Sequence, residues 1–200
     1  MTTKRAATAH HEAGHAVMSF ALGVKFVRII IWDDDDGEVM PECSRCESCV
    51  AYYEKHNPKD DEHAKRIQDD IQREIAVAVA GEIAEVVFTN GSVMINPEEV
   101  EVDRRRAREW ACFLHIWSNR PAPCRWSDPC DISDPFLATI RRNVEQLLRE
   151  PKTWRAVSVL ASHLKNSPEP CTSWSDAADL IEKNGVLFES IPLSSLASSR

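Results

Sequence analysis

Apolar residues recur every three or four positions through residues 62–88, at Ile67, Ile71, Ile75, Val79, Ile83 and Val86. That spacing predicts one long helix. Its second half is nearly all apolar, which implies burial at the centre of the domain. An earlier helical run covers about residues 6–22, with apolar Val17, Phe20 and Leu22 in its second half and Gly23 as its stop. Residues 24–31 follow as a β-branched run and read as a strand. After an acidic turn at 33–37, a short return strand is expected near Glu38-Val39-Met40.

Three more helices are expected over about residues 100–117, 135–149 and 152–166. A last, short one should begin at Ser173 or Ser175 and end before Gly185. Residues 118–134, with their prolines and two cysteines, read as a loop. The expected fold is mainly α, with a small sheet after the first helix and a cysteine-bearing insertion at 41–61. One domain should cover residues 1–190, and the Ser-rich tail over 191–200 should be flexible. No internal repeat is visible.

Two hundred residues suffice for one domain with a sizeable core, and 43% apolar with 28% charged residues is ordinary for a globular protein. The net charge of −8 argues against nucleic acid as the main partner, because the basic residues are dispersed apart from Arg104-Arg105-Arg106. No membrane span is expected: the most apolar run, 75–88, is short and broken by Glu82 and Glu85. A signal peptide is not expected either, since histidines occupy the place of its apolar stretch. The expected location is cytoplasmic, where the seven cysteines suggest reduced thiols or metal ligands.

The chemistry lies in the first helical run. His11-Glu12-Ala13-Gly14-His15 is an HExxH motif. Positions four apart share one helix face, so His11 and His15 can grip one ion while Glu12 projects beside them. Such a site suits zinc hydrolysis, in which the metal acidifies a water and the carboxylate moves its proton. His10 lies about 100° round the helix from His11 and reads as a surface or rim histidine. A third ligand is needed, and Phe20 and Ala21 stand where a longer HExxHxxGxxH motif would carry it. The acidic cluster Glu98, Glu99, Glu101 and Asp103 offers candidates, and spacing alone does not choose among the four.

The run AHHEAGHAV around the motif resembles the motif helix of the FtsH family of AAA+ zinc proteases. The likeness continues in order. Residues 24–31 resemble the strand after that helix, and residues 75–85 resemble the central helix with its Gly-Gly-Arg-x-Ala-Glu segment. Val102-Asp103-Arg104-Arg105-Arg106-Ala107 resembles the Asn-Asp-x-x-x-Ala stretch whose aspartate is the third zinc ligand, and residues 140–164 resemble the closing helices. The resemblance covers most of residues 6–185, and only its motif helix is specific by itself. It implies Asp103 as the third ligand of one catalytic zinc. It also implies a role for Glu85, which matches the glutamate of the central segment. We expect it to orient a metal-bound histidine; an ordinary salt bridge is the other reading.

Three positions depart from the family pattern: Val102 replaces its Asn, and Ala80 and Glu82 replace its first Gly and its Arg. The family also joins its peptidase to a membrane anchor and an ATP-driven unfoldase. Neither is in these 200 residues, and no GxxxxGK[ST] phosphate loop occurs, so ATP use is not expected. Cys43, Cys46 and Cys49 form two overlapping CxxC pairs in the insertion. They suggest a second, structural zinc completed by His56 or a cysteine of the 124–130 loop, with free or redox-active thiols as the alternative. Cys112 reads as a buried small hydrophobe. Trp110, Trp117, Trp126, Trp154 and Trp174 read as core or interface residues.

The expected function is an ATP-independent zinc peptidase acting on unfolded segments or short peptides, with no nucleic-acid or membrane partner. His11, His15 and Asp103 would hold the ion, and Glu12 would act as general base and then general acid. Strand 24–31 would offer its edge to an extended substrate. The competing reading is a non-catalytic zinc-containing interaction module, using the acidic loop and the cysteine insertion. A hydrolase acting on a non-peptide substrate shares the same ligand chemistry.

Overall fold

The computed structural model describes residues 3–33, 35–41, 62–91, 97–117, 135–167, 169, 171–192 and 196. Six helices and three short strands lie among them. The order is α1 (Lys4–Ala21), β1 (Phe26–Ile31), β2 (Gly37–Pro41), α2 (Glu62–Thr89), α3 (Pro97–Trp117), α4 (Pro135–Arg149), α5 (Pro151–Asn166), β3 (Cys171–Ser173) and α6 (Trp174–Lys183). The class is mainly helical with a small antiparallel sheet, as the periodicity predicts.

Helix α1 opens on Thr3, whose Oγ1 accepts the Ala6 N–H at 3.3 Å. It closes on a Schellman turn: Gly23 sits at φ +73°, its N–H donates to the Phe20 carbonyl, and the Val24 N–H reaches the Ser19 carbonyl. Between these caps every residue from Ala6 to Ala21 is buried except half-buried His10. Small side chains make this possible. A Cβ on Gly14 would stand 2.6 Å from Ala84 Cβ and 2.7 Å from the Ala80 carbonyl oxygen, so α1 and α2 meet almost backbone to backbone. Helix α2 packs on α1, α3 and α4, and α5 covers α1 from another side.

The predicted stripe on α2 is real, with Ile67, Ile71, Ile75, Val79 and Ile83 all buried. They join one apolar cluster with residues of α1, β1, α4, α5 and α6. Trp174 extends it, its ring 4.7 Å from Phe26 and 5.5 Å from Phe20, and Trp110 and Trp154 pack at its margin. Three described residues of the expected tail, Ile191, Pro192 and Leu196, lie outside any strand, and Ile191 and Leu196 are held. The Ile191 N–H donates to the Ala21 carbonyl, Leu196 is fully buried, and Asn143 donates to the Leu196 carbonyl at 2.8 Å.

The sheet corrects one expectation. Its strand order is β2-β1-β3, so β1 is the central strand and not an edge. Phe26 and Arg28 to Ile31 pair with β2, with a register shift at Val27, and Arg28, Ile29 and Ile30 pair with Ser173, Thr172 and Cys171 of β3. Three residues are too few to leave an alternating pattern, which is why β3 escapes a sequence reading. An incoming peptide therefore cannot add to β1. Among the described residues, β2 pairs on one side only.

Candidate metal centre

The three ligand candidates come from two helices that cross α2. His11 and His15 stand one turn apart on α1, and Asp103 comes from the second turn of α3. His11 Nε2 and His15 Nε2 are 3.0 Å apart, and each lies 3.0 Å from Asp103 Oδ2. Three atoms so placed can all stand about 2.0–2.1 Å from one ion lying roughly 1 Å off their plane. Of the described side chains in the acidic cluster, Asp103 is the one in the site. Glu101 faces away and pairs with Arg108, and the side chains of Glu98 and Glu99 lie outside those described.

Hydrogen bonds on the far side of each ring decide what these atoms present to one another. His15 Nδ1 lies 2.7 Å from the Val77 carbonyl oxygen, which can only accept, so this nitrogen carries the proton. His11 Nδ1 likewise donates to Glu85 Oε2 at 3.3 Å. In their neutral forms both imidazoles then turn Nε2 lone pairs inward, toward a carboxylate oxygen. Three lone pairs at 3.0 Å repel unless a positive charge, a proton or a metal ion, sits among them. The donor set, two imidazoles and a carboxylate with one corner open, is that of catalytic zinc sites.

The local field says the same. Burial pulls the His11 imidazole down, but hydrogen bonds to Asp103 and Glu85 and the charge of Glu12 carry it well above its ordinary value. His15 is also lowered by burial and then raised, chiefly by Asp103. Burial raises Asp103, and the two imidazoles more than reverse this, holding it well below the usual carboxylate range. The cluster is built to attract positive charge.

Glycines shape the floor. A Cβ on Gly81 would lie 2.3 Å from His15 Nε2 and 2.6 Å from His11 Nε2, so both ligand atoms rest on the bare α2 backbone. A Cβ on Gly37 would lie 2.7 Å from Glu12 Cγ, which places the Glu12 side chain against the start of β2. Glu12 is only 2% exposed. It lines, with the three ligand candidates, a cleft of about 380 Å³ whose walls include Val39 of β2, Val77 of α2 and Val102 of α3.

Beside this cluster lies a second charged group. Glu82, buried on α2, receives two bonds from Arg104 of α3, Nη2 at 2.6 Å and Nε at 3.2 Å, and one from Arg141 Nη1 of α4 at 2.6 Å. Burial raises its carboxyl, and the two guanidiniums overcome this and bring it down to about 2. A carboxylate depressed in the folded state adds stability above its unfolded value near 4.5, and that stability is lost as pH falls toward 2. We expect Glu82→Gln to cost about 2–3 kcal/mol at pH 7 and little near pH 2. Urea unfolding across that range checks this, and a cost independent of pH contradicts it.

Other expectations fall differently. Glu85 is buried and bonded to His11. His10 is not at the site. It stacks on Phe88 with ring centroids 3.6 Å apart, and its Nδ1 donates to the Ala6 carbonyl at 2.6 Å. Burial lowers its imidazole. Cys112 is buried as expected but is disulfide-bonded, not a thiol. Cys43, Cys46, Cys49, His56 and the 124–130 loop lie outside the described residues. Sequence reasoning passed over Gly81, Gly37 and the Glu82 cluster. A glycine inside the most apolar helix was the one visible signal for Gly81.

No protein-family model matches the chain, and no curated protein matches it in sequence. Kinship with the FtsH peptidases draws no support from these comparisons.

Proposed function

We propose that the chain is a zinc-dependent peptidase of FtsH type that works without ATP on unfolded segments or short peptides. One observation carries the reading. Two imidazole nitrogens and a carboxylate oxygen converge to within 3.0 Å of one another on the floor of a cleft that also holds a buried glutamate. A zinc ion there would polarise the scissile carbonyl and acidify the attacking water.

The chain's own residues do the rest. Val77 and Glu85 hold the rings of His15 and His11 in the tautomer that ligation needs. Glu12 takes the proton from the water as the new C–O bond forms. It then gives that proton to the amide nitrogen as the C–N bond breaks. A peptide would lie extended along β2, whose Gly37, Glu38 and Val39 line the cleft, and not along β1.

No described helix is long and apolar enough to cross a membrane. A cytoplasmic location is part of the proposal, and the disulfide at Cys112 counts against it, since cytosolic thiols are kept reduced.

The test is cleavage of an unfolded protein such as casein. We expect slow cleavage that a chelator stops and added zinc restores. Stoichiometric zinc without cleavage of casein or peptide libraries would favour the non-catalytic module. Absence of zinc binding would remove the site altogether.

A further inference from the structure

Helices α2 and α3 meet the metal cluster through neighbouring residues. On α2, Gly81 lies under the two imidazoles and Glu82 follows it. On α3, Asp103 reaches the imidazoles and Arg104 follows it. The two facing pairs are therefore stacked side by side at one helix crossing. At one, a carboxylate from α3 meets histidines lying on α2. At the other, a guanidinium from α3 forks onto a carboxylate from α2.

We propose that Arg104 and Glu82 form a clamp that positions Asp103 as a metal ligand. The inference rests on the zinc reading above and adds a residue pair to it. Arg104 meets both oxygens of Glu82 through two of its nitrogens, the planar fork geometry that fixes orientation as well as distance. Arg141 of α4 also donates to Glu82, on the oxygen that Arg104 Nε meets, and the two-point fork from Arg104 is complete without it. Asp103 is the ligand most in need of such support. It sits on a different helix from the histidines, and its side chain is 20% exposed where that of His11 is 3%. The clamp acts through Asp103 and touches neither ion nor substrate.

Charge alone and positioning predict opposite signs for one substitution. Removing the Arg104 cation beside a dication site should tighten metal binding if only Coulomb's law matters. If the clamp places Asp103, the same change weakens it. The experiment is zinc affinity of the full chain, by competition with a chromophoric chelator, together with the visible spectrum of the cobalt-loaded protein. We expect Arg104→Gln to weaken zinc about 10-fold or more and to alter the cobalt spectrum. Arg141→Gln, which leaves the fork in place, should lower thermal stability and leave affinity near its starting value.

Arg104→Gln binding zinc as tightly as the unaltered chain, or more tightly, overturns the clamp. So does an equal loss of affinity in Arg141→Gln, which would make the cluster a general brace. Should Arg104→Gln not fold, Arg104→Lys keeps the charge and loses the fork, and the same weakening is expected. Asp103→Asn separates the two levels. If it leaves zinc binding intact, the ligand set and the clamp fall together; if it weakens binding and the Arg104 variants do not, only the clamp falls.

Discussion

Glu12→Gln should keep its zinc and lose its hydrolysis. We expect kcat/KM on an unfolded substrate to fall by about 10³-fold or more, which is roughly 4 kcal/mol of transition-state stabilisation. The amide matches the carboxylate in size, so it fits the tight space against Gly37, where Glu12 Cγ leaves no room for even a methyl group on that glycine. It cannot take a proton from water. The ligands His11, His15 and Asp103 are untouched, so zinc stoichiometry should stay at the unaltered value. Initial cleavage rates and metal analysis on the same preparation decide the matter. Undiminished cleavage by the variant would mean that another group moves the proton, and the role given to Glu12 would be wrong.

What could be read before folding was whatever repeats or stands close together along the chain. The α2 stripe and both ends of α4 are periodic and local, and they emerged nearly residue for residue. His11, Glu12 and His15 fall within one and a half turns, so a helix alone brings them together. Asp103 is another matter. Ninety-two residues separate it from His11, and Glu98, Glu99 and Glu101 offered the same chemistry nearby. Only a resemblance chose it. In the structure α3 presents position 103 to the two imidazoles and carries Glu101 round to Arg108.

The rest depends on contacts that no local pattern encodes. Strand β3 is a partner for β1 from about 140 residues away, and its three residues carry no period of their own. In the sequence Glu82 is only a break in an apolar run, standing where the family pattern has Arg. It proves to be the meeting point of two arginines from separate helices. Leu196 falls in the Ser-rich run 191–200 expected to be a flexible tail, and Asn143 of α4 donates to its carbonyl. In each case the sequence contains one half of an interaction, and the other half is chosen by topology.

Gly81→Ala should bring the largest loss of metal binding for the smallest change in volume. Two effects oppose each other, which makes the sign informative. Alanine is the better helix former, and in an open helix interior the exchange would stabilise by about 1 kcal/mol. Here the added carbon would stand 2.3 Å from His15 Nε2, 2.6 Å from His11 Nε2 and 2.7 Å from His15 Cε1. Neither ring can step aside cheaply. Both are buried on α1, and each is tied at Nδ1, to the Val77 carbonyl and to Glu85. Moving α1 outward would give up the close seat of Gly14 on Ala80 and Ala84 and press the helix against α5. The methyl group must then displace the ligand nitrogens from the point where they meet Asp103. We expect zinc affinity to drop about 100-fold or more, at the upper end of what disturbing a ligand's support produces. Circular dichroism should report a helical protein, so that the loss is read as a loss of site and not of fold. Zinc competition against the unaltered chain measures it. A Gly81→Ala chain that binds zinc as tightly, with a gain in melting temperature, would show that the imidazoles do not lie over α2 at all.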